Sequence, residues 1–156
     1  MSKSVKRVEA VLSLAGLTAR TMEMTADTRT AELAAAAANC QLDQIAKSII
    51  FQAEGIGEIV LFITAGGNRV APAKASLVAG LSLGKADADV VRSTTGFAIG
   101  GVAPIGHLNP IRAWFDPRLL DFDVIWAAAG TPRHIFPIDP HTLLALSGAT
   151  IANFTE

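Results

Sequence analysis

Between Thr94 and His107 the chain carries four glycines (Gly96, Gly100, Gly101 and Gly106) and Pro104 in one short run. Glycine permits positive φ and close backbone approach at an entropic cost, and proline fixes φ and removes a donor. A run this rich in both cannot continue a helix or the interior of a sheet. Any fold of this chain must contain a shaped loop here, with peptide groups as its working parts. Such a loop is a poor core element and a good binding wall.

The remaining composition supports a packed domain around that loop. Hydrophobic residues make up 51% of the 156 positions and charged residues 17%, which excludes disorder. The length suits a single domain, 1–156, with one core. No apolar run is long enough to span a bilayer. Lys3, Lys6 and Arg7 make the start basic, but no signal-peptide apolar segment follows, so a cytoplasmic location is expected. Cys40 is the sole cysteine, which rules out an intrachain disulfide and a cysteine zinc site. A net charge of −1 and the absence of tyrosine argue against a broad basic footprint or a base-stacking platform.

Periodicity predicts interleaved helices and strands. Val5, Val8, Val11, Leu12 and Leu14 form a helical stripe ended by Gly16. Thr21 to Met24 reads as a short strand, and Asp27 or Thr28 as the cap of a helix from Ala31 to Asn39. Ile45–Phe51 and Glu58–Thr64 read as a hairpin, with the turn Ala65 to Asn68 after it. Pro72 starts a helix to about Ala79, and Asp87–Ser93 is another. Ile111–Phe115, Phe122–Ala128, His134–Ile138 and Thr150–Phe154 read as strands. Asp116-Pro117 is a turn or helix start, and Asp139-Pro140 caps a helix to about Leu146, ended by Gly148. The order predicts an α+β single domain with a mixed sheet.

Alternation along Ile45–Phe51 puts Lys47 on one face with Ile45, Ile49 and Phe51, opposite Ala46, Ser48 and Ile50. An ammonium among large apolar groups must be paired, hydrogen-bonded or solvated through a cavity, and burial lowers its pKa. The other reading is an edge lysine that snorkels to water. Ser93, Thr94 and Thr95 supply hydroxyls before the loop. Ala127, Ala128, Ala129 and Gly130 end an apolar strand with little bulk, leaving either room for a ligand or close packing. Common motifs fail. Gly101 to His107 has phosphate-loop glycine spacing without the lysine or hydroxyl, Gly55-Ile56-Gly57 is no dinucleotide fingerprint, and no Gly-x-Ser-x-Gly elbow exists. His107, His134 and His141 lack metal-ligand spacing, so no metal or cofactor is expected. Cys40 ends an apolar helix and reads as a structural thiol, and His107 as a structural histidine.

Two segments, Gln44–Phe51 with Lys47 and Thr94–His107 with Gly100-x-x-x-Pro104, resemble the YbaK/EbsC/ProX group. That group is related to the editing domain inserted in bacterial prolyl-tRNA synthetases. The resemblance runs from about Asp27 to Thr155. It implies a mixed β-barrel-like sheet surrounded by helices, and an aminoacyl-tRNA deacylase that removes a small amino acid such as Cys or Ala from tRNA-Pro. It implies Lys47, Gly100 and Gly101 as catalytic residues. Thr94, Thr95, Gly96, Val102, Ala103, Pro104, Ala129, Gly130 and His134 would bind substrate. The implied partners are aminoacyl-tRNA and a prolyl-tRNA synthetase. An aspartate that some relatives carry near the last strands has no match in Gly130–Phe136, where His134 either fills a polar role or caps a strand end.

The chemistry of such a site needs no protein nucleophile. Lys47 and the amides of Gly100, Gly101 and Val102 would hold the ester and its developing oxyanion, while water or a substrate thiol attacks. A small pocket would exclude the larger cognate amino acid. Two alternatives stay open: a non-catalytic aminoacyl-tRNA or synthetase-binding module of the same fold, and a hydrolase of another small acyl ester. Lys74, Lys85, Arg92, Arg112 and Arg133 are candidates for tRNA phosphates.

Overall fold

The computed structural model describes residues 2–18 and 21–156. α1 (Lys3–Leu14) starts at Ser2, whose hydroxyl accepts the Val5 N–H, and buries Val5, Val8 and Leu12. Leu14, expected on that stripe, is 89% exposed. Two residues beyond Leu12 the helix has turned by about 200°, onto its far side. β1 (Met22–Glu23) follows. α2 (Ala31–Ala38) is capped by Thr30, not by Asp27 or Thr28. Asp27 binds the Arg29 amide and guanidinium, and Thr28 donates to Pro132 O, so neither is free to cap.

β2 (Ile45–Ala53) and β3 (Ile59–Ala65) form the expected antiparallel hairpin. α3 (Pro72–Ala79) starts on its proline. β4 (Leu83–Lys85) was not expected, because three residues around a glycine carry no strand pattern. It forms by pairing with the end of β2. α4 (Ala88–Thr95), capped by Asp87, leads into the glycine-rich loop, and β5 (Arg112–Phe115) leaves it. A 3₁₀ turn at Pro117–Asp121 starts on Asp116. β6 (Ile125–Ala128), β7 (His134–Ile138), α5 (Pro140–Ser147) and β8 (Thr150–Ile151) complete the chain. β8 is shorter than expected because Phe154 leaves the ladder and is fully buried in the core.

The strands form one mixed sheet in the order β1-β7-β6-β2-β3-β5-β8, with β4 branching from β2. β2–β6, β3–β5 and β5–β8 are parallel, and the other pairs are antiparallel. Alternation in the buried strand β3 divides the core. Leu61 and Ile63 face a cluster that includes Val8, Leu12, Val91 and Leu143 from α1, α4 and α5. Val60 and Phe62 face Ala75 and Ala79 of α3, with Trp114 and Phe154. Phe62 stacks on Trp114 at 5.1 Å and meets Phe154 edge-on at 4.9 Å. This single-domain mixed α/β arrangement is the fold class the sequence predicts.

Candidate active site

The sheet splits along the outer edge of β2. There β2 pairs with β6 only through Ile45 and Ala46, and with β4 only through Phe51 to Ala53. Lys47 to Ile50 lie between these ladders and border a cavity of about 850 Å³. Its lining draws on both faces of the sheet. Glu32, Lys47, Gly66 and Pro72 line it on the α2 and α3 side, and Ser48, Ile50, Val91 and Val102 on the other. The small side chains of Ala46, Ala127 and Ala128 keep it open.

Lys47 stands where alternation placed it. Ile45 packs under α2, Ile49 and Phe51 pack against the α3 cluster, and Ala46 and Ile50 pack on the opposite face. It is hydrogen-bonded rather than snorkelling freely: Nζ donates to the Asn68 carbonyl at 2.6 Å. One donor is thereby fixed, and two remain. Burial pulls the ammonium below the ordinary lysine range, and Arg69 adds to this. Glu32, Asp116 and Asp43 oppose it.

Asn68 is itself held. Buried Asp116 accepts the Asn68 side-chain amide at 2.9 Å and the Ala65 N–H at 3.1 Å through Oδ2, and the Arg118 N–H at 3.0 Å through Oδ1. Asp43 accepts the Gly67 N–H at 2.8 Å and the Arg118 guanidinium at 3.0 Å. The turn after β3 is pinned from two sides, and it sets the carbonyl on which Lys47 rests. Asp116→Ala would leave three donors unpartnered. Urea denaturation is expected to show a loss of about 2–4 kcal/mol.

The glycine-rich loop delivers Gly100 and Val102 to the cavity. Among the described residues neither of their amides has a hydrogen-bond acceptor. Gly101 is placed differently, outside the residues that line the cavity. Its N–H donates to Ala98 O at 3.1 Å, so it is engaged within the loop. Gly101 lies against Thr131, where an added Cβ would come within 2.7 Å of backbone atoms. Arg7 of α1 clamps the loop ends, donating to Gly96 O at 2.7 Å and Gly106 O at 3.2 Å, with its guanidinium 4.6 Å from the Phe97 ring centre.

Most other expected substrate contacts belong to this frame, outside the cavity lining. The Thr95 hydroxyl donates to Val91 O and accepts the Phe97 N–H. The Thr94 carbonyl accepts the Asn109 N–H, and Gly96 ends α4. Ala103, Pro104, Ala129 and Gly130 are buried in packing. The Ala129 N–H donates to His134 O. The His134 ring meets the Thr131 hydroxyl at 2.5 Å and lies 4.0 Å from Glu23.

His107 is tied into the loop, with Nε2 on Ala103 O at 2.7 Å and its ring edge-on to Phe97. Burial pulls its pKa down. In the unfolded chain it binds a proton below about pH 6.5. The folded state binds fewer protons there, so His107 favours folding above that pH and the benefit is lost as pH falls through the folded value. Stability measured from pH 7 to 5 should fall more steeply in the native chain than in His107→Gln.

Glu32, Asn68, Asp116 and Arg7 had no functional signal in the sequence. Burial pushes the Cys40 thiol up, away from the nucleophilic thiolate. Among the described residues no group of three or more His, Cys, Asp or Glu could hold a metal ion, and no helix is long and apolar enough to cross a membrane. Three of the five cations considered for tRNA are tied within the chain: Lys74 to Thr155 O, Arg112 to Glu58 and Ala79 O, and Arg133 to Thr25 O. Lys85 lines the cavity.

Fold and site together define a single-domain mixed α/β protein with a cavity at a split sheet edge. Residues 25–146 match the aminoacyl-tRNA editing domain, and the chain belongs to that family. It is similar to a solved structure described as a "putative trans-editing enzyme for prolyl tRNA synthetase", at 43% identity and a TM-score of 0.91, covering 100% of this chain and 99% of that one. The hypothetical protein APE2540 matches at 27% identity and a TM-score of 0.86, over 96% of this chain and 99% of that one. The uncharacterised protein YwhH of Bacillus subtilis (strain 168) is 28% identical over 125 residues, 80% of this chain and 79% of YwhH.

Proposed function

We propose that the protein is a free-standing deacylase that hydrolyses the ester of a mischarged aminoacyl-tRNA, releasing a small amino acid such as Cys or Ala from tRNA-Pro. The observation that carries this reading is one cavity lined by Lys47, Gly100 and Val102, the two loop residues having amides with no acceptor among the described residues. A developing oxyanion needs donors fixed before reaction, and these groups supply a cation and two N–H dipoles. Water attacks the ester carbonyl carbon. The tetrahedral intermediate then expels the ribose oxygen, which takes a proton, leaving free amino acid and tRNA. A prolyl-tRNA synthetase would be the source of the mischarged substrate. The similarity to a structure described in those terms supports this choice of tRNA.

Labelled amino acids on tRNA-Pro, scored for release, test the reading. Release of the small amino acids with proline spared is expected. Binding of the same esters without release would favour the non-catalytic module. The reaction also needs the charged form of Lys47. Because burial pulls its pKa down, the ammonium is lost before the ordinary lysine value of about 10.4 is reached. Release, corrected for spontaneous ester hydrolysis, should fall with rising pH below that value.

A further inference from the structure

α1 lies outside the residues that match the editing domain, yet it holds the glycine-rich loop at both ends. Val5, Val8 and Leu12 bury one face of the helix. Arg7, half-buried beside them, lays its guanidinium across the neck of the loop. Nη2 donates to Gly96 O at 2.7 Å, Nε donates to Gly106 O at 3.2 Å, and Cζ lies 4.6 Å from the Phe97 ring centre. Among the described residues neither carbonyl accepts a backbone N–H. Both glycines sit at a φ of +80°. Glycine takes either sign of φ at little cost, so these two residues do not hold the neck in shape by themselves. Packing seats Phe97 and Val102 to Ile105 in the core, but Ile99 is exposed and Gly100 only half-buried. α1 backs the facing wall as well. An added Cβ on Gly130 would come within 2.9 Å of Ser4, and Gly101 lies against the next residue, Thr131.

We propose that Arg7 is a positioning residue for ester hydrolysis: its guanidinium fixes the two ends of the glycine-rich loop and so holds the Gly100 and Val102 backbone at the cavity. This rests on the deacylase reading and adds to it a residue that does not itself line the cavity. Donors to a developing oxyanion are effective when they are set before reaction, and a displacement of about 1 Å costs on the order of 10²-fold in rate. One guanidinium edge bonds two carbonyls at a fixed spacing while its flat face covers an aromatic ring. A lysine at this position keeps the charge and loses that two-point geometry.

The test is single-turnover release from alanyl- or cysteinyl-tRNA-Pro by the native chain, Arg7→Ala and Arg7→Lys, with circular dichroism showing each chain folded at the assay temperature. Arg7→Ala is expected to lose at least about tenfold in maximal rate, while the half-saturating enzyme concentration stays within about twofold. Methylguanidinium should restore part of that rate, and methylammonium at the same concentration none of it. Arg7→Lys should fall at least about threefold below the native rate, and it carries the test if Arg7→Ala does not fold. The backbone amide resonances of Gly100 to Val102 should move in either variant and, in Arg7→Ala, return toward their native positions with methylguanidinium. A folded variant with the native rate, a loss confined to half-saturation, or unmoved resonances would overturn the proposal. No release from any ester by the native chain would instead overturn the deacylase reading, and the resonances alone would then decide whether Arg7 sets the loop.

Discussion

Lys47→Ala is expected to abolish ester hydrolysis while leaving the fold intact. Preorganised donors at an oxyanion are each worth on the order of 10²–10³ in rate, and Lys47 contributes a full charge in a partly desolvated site. The loss should appear in kcat, since the developing charge exists only in the transition state. Stability should move the other way or not at all. The folded pKa of Lys47 lies below its unfolded value, so holding it charged at neutral pH opposes folding. Removing the ammonium relieves that cost and forfeits one hydrogen bond to Asn68 O. Circular dichroism and thermal denaturation check the fold, and single-turnover release checks the chemistry. Full turnover in the folded variant would remove Lys47 from the mechanism.

The second large effect is expected at Gly101, whose N–H is engaged with Ala98 O inside the loop. In Gly101→Ala the added Cβ would sit 2.7 Å from Thr131 Cα and C, closer than real contacts allow. These are backbone atoms, so no flexible side chain can yield. Either the loop or the Thr131 turn must shift, and overpacking of this kind costs about 1–3 kcal/mol. The shift carries Gly100 and Val102 away from the cavity, so hydrolysis should fall by more than tenfold although both amides are still present. Gly100→Ala makes a useful contrast. Its Cβ would meet Arg29 Cγ at 2.9 Å, an exposed and flexible side chain, although φ there is +97°. Backbone strain then dominates, of order 1–3 kcal/mol. Urea midpoints and single-turnover rates for the pair separate the two causes.

The position of Lys47 was legible because strand alternation has a period of two and an ammonium among Ile45, Ile49 and Phe51 breaks the pattern. The loop was legible because a run of glycines and a proline continues neither a helix nor a strand, although the structure buries Phe97 and Val102 to Ile105 of it in the core. The family resemblance joined the two segments. What sequence did not reveal depends on contacts across long stretches of chain. Asp116 reaches Lys47 through Asn68, 48 residues away, and reads locally as a turn residue. β4 exists only because the end of β2 offers it an edge. The cap of α2 was misassigned because Asp27, Thr28 and Thr30 are all good caps, and distant Pro132 removes Thr28 from contention. Nothing local in the sequence shows that the Gly101 N–H turns back to Ala98 O. Thr94, Thr95 and Gly96 border the loop in sequence, and the structure uses them to end α4 rather than to line the cavity.

The most direct test of the account is single-turnover release of labelled amino acid from tRNA-Pro charged with alanine, cysteine, serine or proline, run in parallel with the native chain and Lys47→Ala. The native chain is expected to release at least one small amino acid and nothing above background from prolyl-tRNA, and Lys47→Ala to release none from any ester. Absence of release from every mischarged ester, with the native chain folded and binding them, would contradict it.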